Sequence, residues 1–213
     1  MSAEAEAYEY ILGKIRRGEL RPGMRLKSED VASEIGMSRM PVREAFGRLY
    51  QLGILTLRAN RGAVVTEFTP EQLMEVFEIR SVLEGLAMRR ATIHATDKDI
   101  EELHDLLERM RRVEEDVEQW LTRHTDFHKA IARLSKAQRL AGDIEKTQLL
   151  LEIYMRLWVL HAEKPVDLTG DHLRLIEAIA AGNPGEAEAV MRDHVLNTAP
   201  AVVEFLSKHN AFG

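Results

Sequence analysis

The chain has 213 residues, 45% of them hydrophobic and 30% charged, and no cysteine. That length predicts one or two domains with enough chain for a real core, and the composition excludes disulfides and thiolate metal sites and fits a reducing cytosol. The first twenty residues mix acidic, basic and apolar positions, so no signal peptide is expected, and no apolar run approaches the roughly eighteen residues of a spanning helix. The net charge of −6 averages two unlike parts. Residues 1–66 hold 11 of the 29 Lys and Arg and 8 of the 35 Asp and Glu, a net +3, which leaves −9 for the rest. A basic module joined to an acidic body suits phosphate binding by the first part.

In chain order, Ala7, Tyr8, Ile11, Leu12 and Ile15 form a helical stripe over residues 3–18, closed by Gly18 and the turn Arg21-Pro22-Gly23. Ser28 is a natural cap for a short helix through Val31, Ala32 and Ile35, ending at Gly36. Ser38 opens a second helix carrying Val42, Ala45, Phe46, Leu49 and Leu52, closed by Gly53. Two short helices across a tight glycine turn predict a helix-turn-helix. The β-prone runs Ile54–Leu57 and Ala63–Thr66 then flank Arg58-Ala59-Asn60-Arg61-Gly62, a hairpin with a basic tip that reads as a wing. Residues 67–70 are a linker, and Thr69-Pro70-Glu71-Gln72 is a capping box that starts a region without strand signals. Helices are expected near 70–92, 97–113, 116–135, 139–162, 170–181 and 184–208, with Asn183-Pro184-Gly185-Glu186 capping the last. The expected fold is mainly α: a winged helix-turn-helix over 1–66 and an all-α antiparallel bundle over 71–213.

Gly18-Glu19-Leu20-Arg21-Pro22-Gly23 and Met37-Ser38-Arg39-Met40-Pro41-Val42-Arg43-Glu44-Ala45 closely resemble the GntR family of bacterial regulators. That family shows a G-x-L-x-P-G turn, then S-R-x-P-V-R-E-A-L and a glycine-tipped wing; here Phe46 replaces the leucine. The second part resembles the helical, FCD-type ligand-binding domain of the FadR subfamily. The matches are Arg80-Ser81-Val82-Leu83-Glu84, Phe127-His128, His172 with Ile176-Glu177-Ala178, and Met191 with His194.

Arg39 and Arg43 lie four apart on one helix face, and Arg43 cannot belong to the neighbouring apolar stripe. An arginine fork matches the O6/N7 edge of guanine or a phosphate. The resemblance assigns both arginines to operator recognition. Ser38 at the helix start, Arg48 and the bare Gly62 of the wing complete the expected DNA-binding set. The alternative is a solvated basic face with Glu44 pairing Arg39 or Arg48 within the helix.

His124 and His128 share a stripe with Val117, Leu121 and Ile131; His172 lies with Leu175, Ile176 and Ile179; His194 lies with Ala187, Val190 and Met191. Four inward histidines on three helices, with no catalytic motif, point to a metal site, the alternative being a polar pocket without metal. The resemblance implies a divalent metal held by three histidines, at His128, His172 and His194, and an aspartate. The aspartate position is occupied by His124, so the site is either all-imidazole, suiting zinc or nickel, or lost. Asp126, two residues from His128, should face elsewhere. Arg80 falls inside an apolar stripe with Leu73, Val76, Phe77, Leu83 and Ala87 and needs an anionic partner, either Glu84 one turn on or a ligand carboxylate.

Together these features predict a cytoplasmic, homodimeric transcription regulator, a repressor, that binds an inverted-repeat operator in double-stranded DNA and senses a small carboxylate effector. No metalloprotease, nucleophile-elbow or phosphate-loop motif is present. The rival is a metal-dependent enzyme of the helical bundle with an accessory DNA-binding module; a third reading is an architectural DNA binder without effector.

Overall fold

Helical periodicity and glycine stops divide the chain much as the sequence predicts. The computed structural model describes residues 1–58, 62–161 and 170–208, among which nine helices and three strands occur. Two compact units result, residues 1–71 together with the chain's end from Leu206, and residues 72–205. No helix among the described residues is long and apolar enough to cross a membrane.

The first unit begins with α1 (Ala3–Arg16), whose cap Ser2 accepts from the Ala5 amide at 3.1 Å. Its stripe Ala7, Tyr8, Ile11, Leu12 and Ile15 is buried throughout, and each fully buried aliphatic side chain contributes roughly 1.5–3 kcal/mol. Helix α1 packs on α3 (Arg39–Gln51), as does α2 (Ser28–Glu34). Val42, Ala45, Phe46 and Leu49 supply the buried face of α3. Ser28 is the first residue of α2, not its cap: Lys27 holds that position. Ser38 does cap α3 in backbone geometry, but its side chain makes no capping bond.

The wing is a three-stranded antiparallel sheet, not a bare hairpin. Strand β1 (Arg25–Leu26) pairs with β3 (Gly62–Val65), which also pairs with β2 (Leu55–Arg58), giving the order β1-β3-β2. The register sets Leu26 and Leu57 opposite Ala63, and Arg58 opposite Gly62. A two-residue strand shows no alternation, so β1 left no trace in the pattern. The tip residues 59–61 lie outside the described residues. Gly62 has φ +83°, and a Cβ there would lie 2.3 Å from the Leu26 carbonyl oxygen. Its bareness therefore serves the close approach of β3 to β1.

The second unit comprises α4 (Pro70–His94), which begins just before it, α5 (Asp97–Arg111), α6 (Val117–Leu134), α7 (Gln138–His161), α8 (His172–Ala180) and α9 (Pro184–Lys208), which runs past its end. These bounds follow the expected ones to within three residues. The Thr96–Asp99 capping box opens α5, Asp116 caps α6 by accepting from the Gln119 amide, and Asn183 Oδ1 accepts from the Gly185 and Glu186 amides at the start of α9. Helix α5 packs on α6 and α8, and α6 on α7. Ala87, Ala132 and Ile144 join α4, α6 and α7 in one cluster, with Leu83, Leu140 and Ala141 against it. Gly85 lets α4 approach α9, since a Cβ there would meet Arg192 Cγ at 2.6 Å.

Gly62→Ala should destabilise the protein by about 3 kcal/mol, because left-handed backbone strain and the Leu26 carbonyl act together. Gly36→Ala, where φ is +68° but the space is open, should cost about 1 kcal/mol. Urea unfolding of the two variants beside the parent measures the difference.

Candidate metal centre

The apolar stripe of α6 carries two histidines one turn apart, and the start of α8 and the middle of α9 deliver two more. His172 is the first residue of α8, and His194 lies within α9. The four donor nitrogens of His124, His128, His172 and His194 all lie within 4.8 Å of one another, so the cluster could hold a metal ion. Ring centroids are 4.5 Å apart for His124 and His128, 5.4 Å for His128 and His194, and 4.6 Å for His172 and His194. Phe127, fully buried, packs edge-on against His172, and Trp120 stacks on His124 at 4.8 Å. The structure thus gathers all four predicted histidines, His124 included. Asp126 faces away and pairs with Arg123 at 3.5 Å.

Beneath His128 lies a buried polar network. Glu84 Oε2 meets His128 Nδ1 at 2.6 Å, while Glu84 Oε1 accepts from Arg80 Nε at 2.6 Å and from Gln148 Nε2 at 3.0 Å. Arg80, Glu84, His128 and Gln148 are all at most 8% exposed. Burial pushes the Glu84 carboxyl up, but the Arg80 guanidinium, then His128, outweigh it and hold the group far below the usual carboxylate range. An ionised Glu84 accepts only, so His128 carries a proton on Nδ1, and Nε2 is the nitrogen left to offer a lone pair in the neutral ring. That Nε2 is buried without a hydrogen-bond partner among the described residues. A carboxylate behind one ring nitrogen and an unpartnered nitrogen in front is the arrangement that orients metal-binding histidines. Burial, followed by the field of the neighbouring histidines and of Arg80, lowers His124 well below its ordinary value. Burial together with His128 and Arg80 lowers His194 to about 3. These are neutral imidazoles, the protonation state that coordination requires. Imidazole donors within 4.8 Å of one another could close on a metal ion.

Arg80 therefore has the partner one turn on that its spacing predicts. Glu84 as the support of His128 was not predicted. Beside the network lies a cavity of about 20 Å³, lined by Arg80 on α4, His124 and Thr125 on α6, and Gln148 and Glu152 on α7. Trp120 and Tyr154 are core, and Trp158 is half-buried.

In the first unit, Ser38, Arg39 and Arg43 are exposed around the start of α3. Arg39 pairs with Glu29 of α2 at 3.0 Å, a contact between helices in place of the intrahelical Glu44 pairing of the solvated-face alternative. Arg48 turns onto α1, 3.4 Å from Glu4 and with its guanidinium 3.8 Å from the centre of the Tyr8 ring.

Residues 3–65 match the family model described as bacterial regulatory proteins, gntR family, and residues 75–197 match that of the FCD domain. The regulator McbR of Escherichia coli K12 is 34% identical over 84% of this chain and 72% of its own. LutR of Bacillus subtilis 168 is 30% identical over 86% and 93%. The solved E. coli McbR/YncC structure superposes with a TM-score of 0.81 at 26% identity, covering 97% of this chain and 99% of that one. Fold and relatives define a transcription regulator with a DNA-binding helix-turn-helix, and not an enzyme. The chain belongs to the GntR family and carries an FCD domain. The metal-dependent enzyme considered as a rival is thereby set aside.

In metal-free protein, stability should fall as pH drops from about 6.5 toward 3. Unfolded imidazoles take up protons near 6.5, whereas folded His194 resists until about 3. The contribution is complete above 6.5 and is lost as the unfolded chain gains protons that the folded one refuses. Urea midpoints at pH 7.5, 6 and 4.5 should decline in that order.

Proposed function

We propose that the chain is a cytoplasmic, dimeric repressor that binds an inverted-repeat operator, holds a divalent transition metal at its four histidines and responds to a small organic acid. The observation that carries the sensing part is the four-histidine cluster with Glu84 behind His128. His124, His128, His172 and His194 would hold the metal, and an all-imidazole set suits zinc or nickel. When bound, the metal supplies a positive charge that neutral imidazoles do not cancel, which draws an anion into a low-dielectric bundle. Arg80 uses only Nε on Glu84, and the rest of its fork is suited to a carboxylate entering from the cavity side.

The operator surface is the start of α3. Arg39 and Arg43 read base edges or phosphate, and the Ser38 hydroxyl, with no capping bond to make, joins the helix amides in facing a phosphate. Arg48 and Gly62 complete the proposed DNA-binding set, the one beside Tyr8 and the other close to Leu26. The dimer is supported by α4, which exposes Ile79, Val82, Leu86 and Ile93 along one face. Exposed Glu75 and Glu78 lie toward one end of α4, and Arg89 and Arg90 toward the other. An antiparallel second copy sets acid against base.

Arg43→Ala should lose most specific operator binding, measured by titration of a labelled duplex that the parent occupies with two chains. The parent's affinity should fall steeply with salt. A variant as tight as the parent would show that α3 is not the reading helix. Protein purified without a polyhistidine tag and incubated with zinc or nickel should hold about one ion per chain by elemental analysis. His172→Ala should lose that ion, and Glu84→Gln should weaken it by roughly ten- to a hundredfold. Stoichiometry near zero in the parent would favour the metal-free polar pocket.

A further inference from the structure

We infer that Met40 is a specificity-determining residue of the operator surface, its side chain reading the 5-methyl group of a thymine in each half-site. This rests on the operator reading above and adds an apolar reader to the arginines named there. The buried face of α3 is Val42, Ala45, Phe46 and Leu49. At about 100° per residue, Met40 lies almost directly opposite the middle of that face. Glu44 and Gly47 follow it along the same outer line, and Arg43 lies beside it. Met40 is 65% exposed, and Arg43 and Glu44 are exposed with it. Gly47 marks this line independently. A glycine in mid-helix weakens the helix, yet a Cβ on Gly47 would meet nothing within 4 Å. Nothing among the described residues requires its bareness, whereas a partner laid closely against this face would.

The outer line of a reading helix is the part that goes deepest into a major groove. The base edges there present hydrogen-bond donors and acceptors, and the thymine 5-methyl is the apolar exception. A methionine offers no donor and only a weak acceptor. Over the polar edges of guanine, cytosine or adenine it strips water away and restores no bond. Over thymine it packs one apolar group on another, and its unbranched, adaptable chain settles there without strain. Met40 and Arg43 are three residues apart, about 4.5 Å along the helix axis. The thymine should therefore lie roughly one to two base steps from the contact that Arg43 makes. Arg43 supplies charge and a hydrogen-bonding fork, and Met40 supplies discrimination at a neighbouring position that no charged group could read.

The experiment uses the full chain and a duplex that it enriches from a random-sequence pool. Each thymine of that duplex is replaced in turn by deoxyuridine, in both half-sites at once, which removes the 5-methyl and leaves base pairing intact. Affinity is read by fluorescence anisotropy. One symmetric pair of replacements should weaken the parent about tenfold, from roughly three- to fourfold for each methyl group. Met40→Ala removes an exposed side chain and should keep the parent's thermal midpoint. It should bind the thymine and deoxyuridine duplexes alike, so that the ratio for that pair falls close to one. If Met40 served only to hold the start of α3, Met40→Ala would weaken both duplexes together and the ratio would survive, which overturns the inference. A methyl penalty that persists in Met40→Ala through another residue or through the shape of the duplex overturns it in the same way, as does a parent indifferent to every replacement. An enriched duplex whose binding needs Arg43 but no thymine methyl would sink this inference and leave the operator reading standing; a pool from which no sequence is enriched would remove both.

Discussion

The second unit is organised around one carboxylate taken out of water. An isolated buried charge costs several kcal/mol, and Glu84 is kept ionised only because three partners on three helices converge on it. Each contact constrains its partner in turn. Arg80 is drawn along α4, His128 is fixed in one tautomer, and the Gln148 amide can lie only one way round. His128, one of the four clustered histidines, is therefore aimed by a residue outside the cluster. Because Arg80 and His128 share this anion, a perturbation of either one is felt by the other, which is the physical requirement for a coupling free energy between an anion at Arg80 and an ion at the histidines.

The first unit relies on packing and tight backbone geometry instead of buried charge. Its ion pairs are exposed, and pairs of that kind contribute about 1 kcal/mol or less. Arg39 can therefore leave Glu29 at small cost when a better anion is offered. Arg48 is held more firmly, since its guanidinium lies over the Tyr8 ring as well as near Glu4.

The helices were legible because burying one face imposes a 3.6-residue period, and because glycines, prolines and polar caps mark the ends. Inward histidines could be placed on those faces for the same reason, so the cluster was visible before any coordinates. Arg80 and Glu84, one turn apart, were also visible as a pair. What the pattern could not reveal were contacts between residues far apart in the chain: Glu84 with His128, 44 residues on, and with Gln148, 64 residues on. Strand β1 escaped for a different reason, since its two residues are recognised only through their partner strand. Ser38 shows the limit of residue-type reasoning: its type suited a side-chain cap, but it caps α3 in backbone geometry alone.

The smallness of the space beside Arg80 has its own consequence. With room for about one water in a partly open recess, the proposed acid would need the walls contributed by α4, α6 and α7 to yield as it enters. Occupancy and deformation would then be coupled, with part of the energy of the ligand's contacts spent on displacing those walls. Ligand size becomes a signal in itself: a molecule that slips in without pushing would bind silently, whereas one that forces the walls outward would be felt along the whole length of α4.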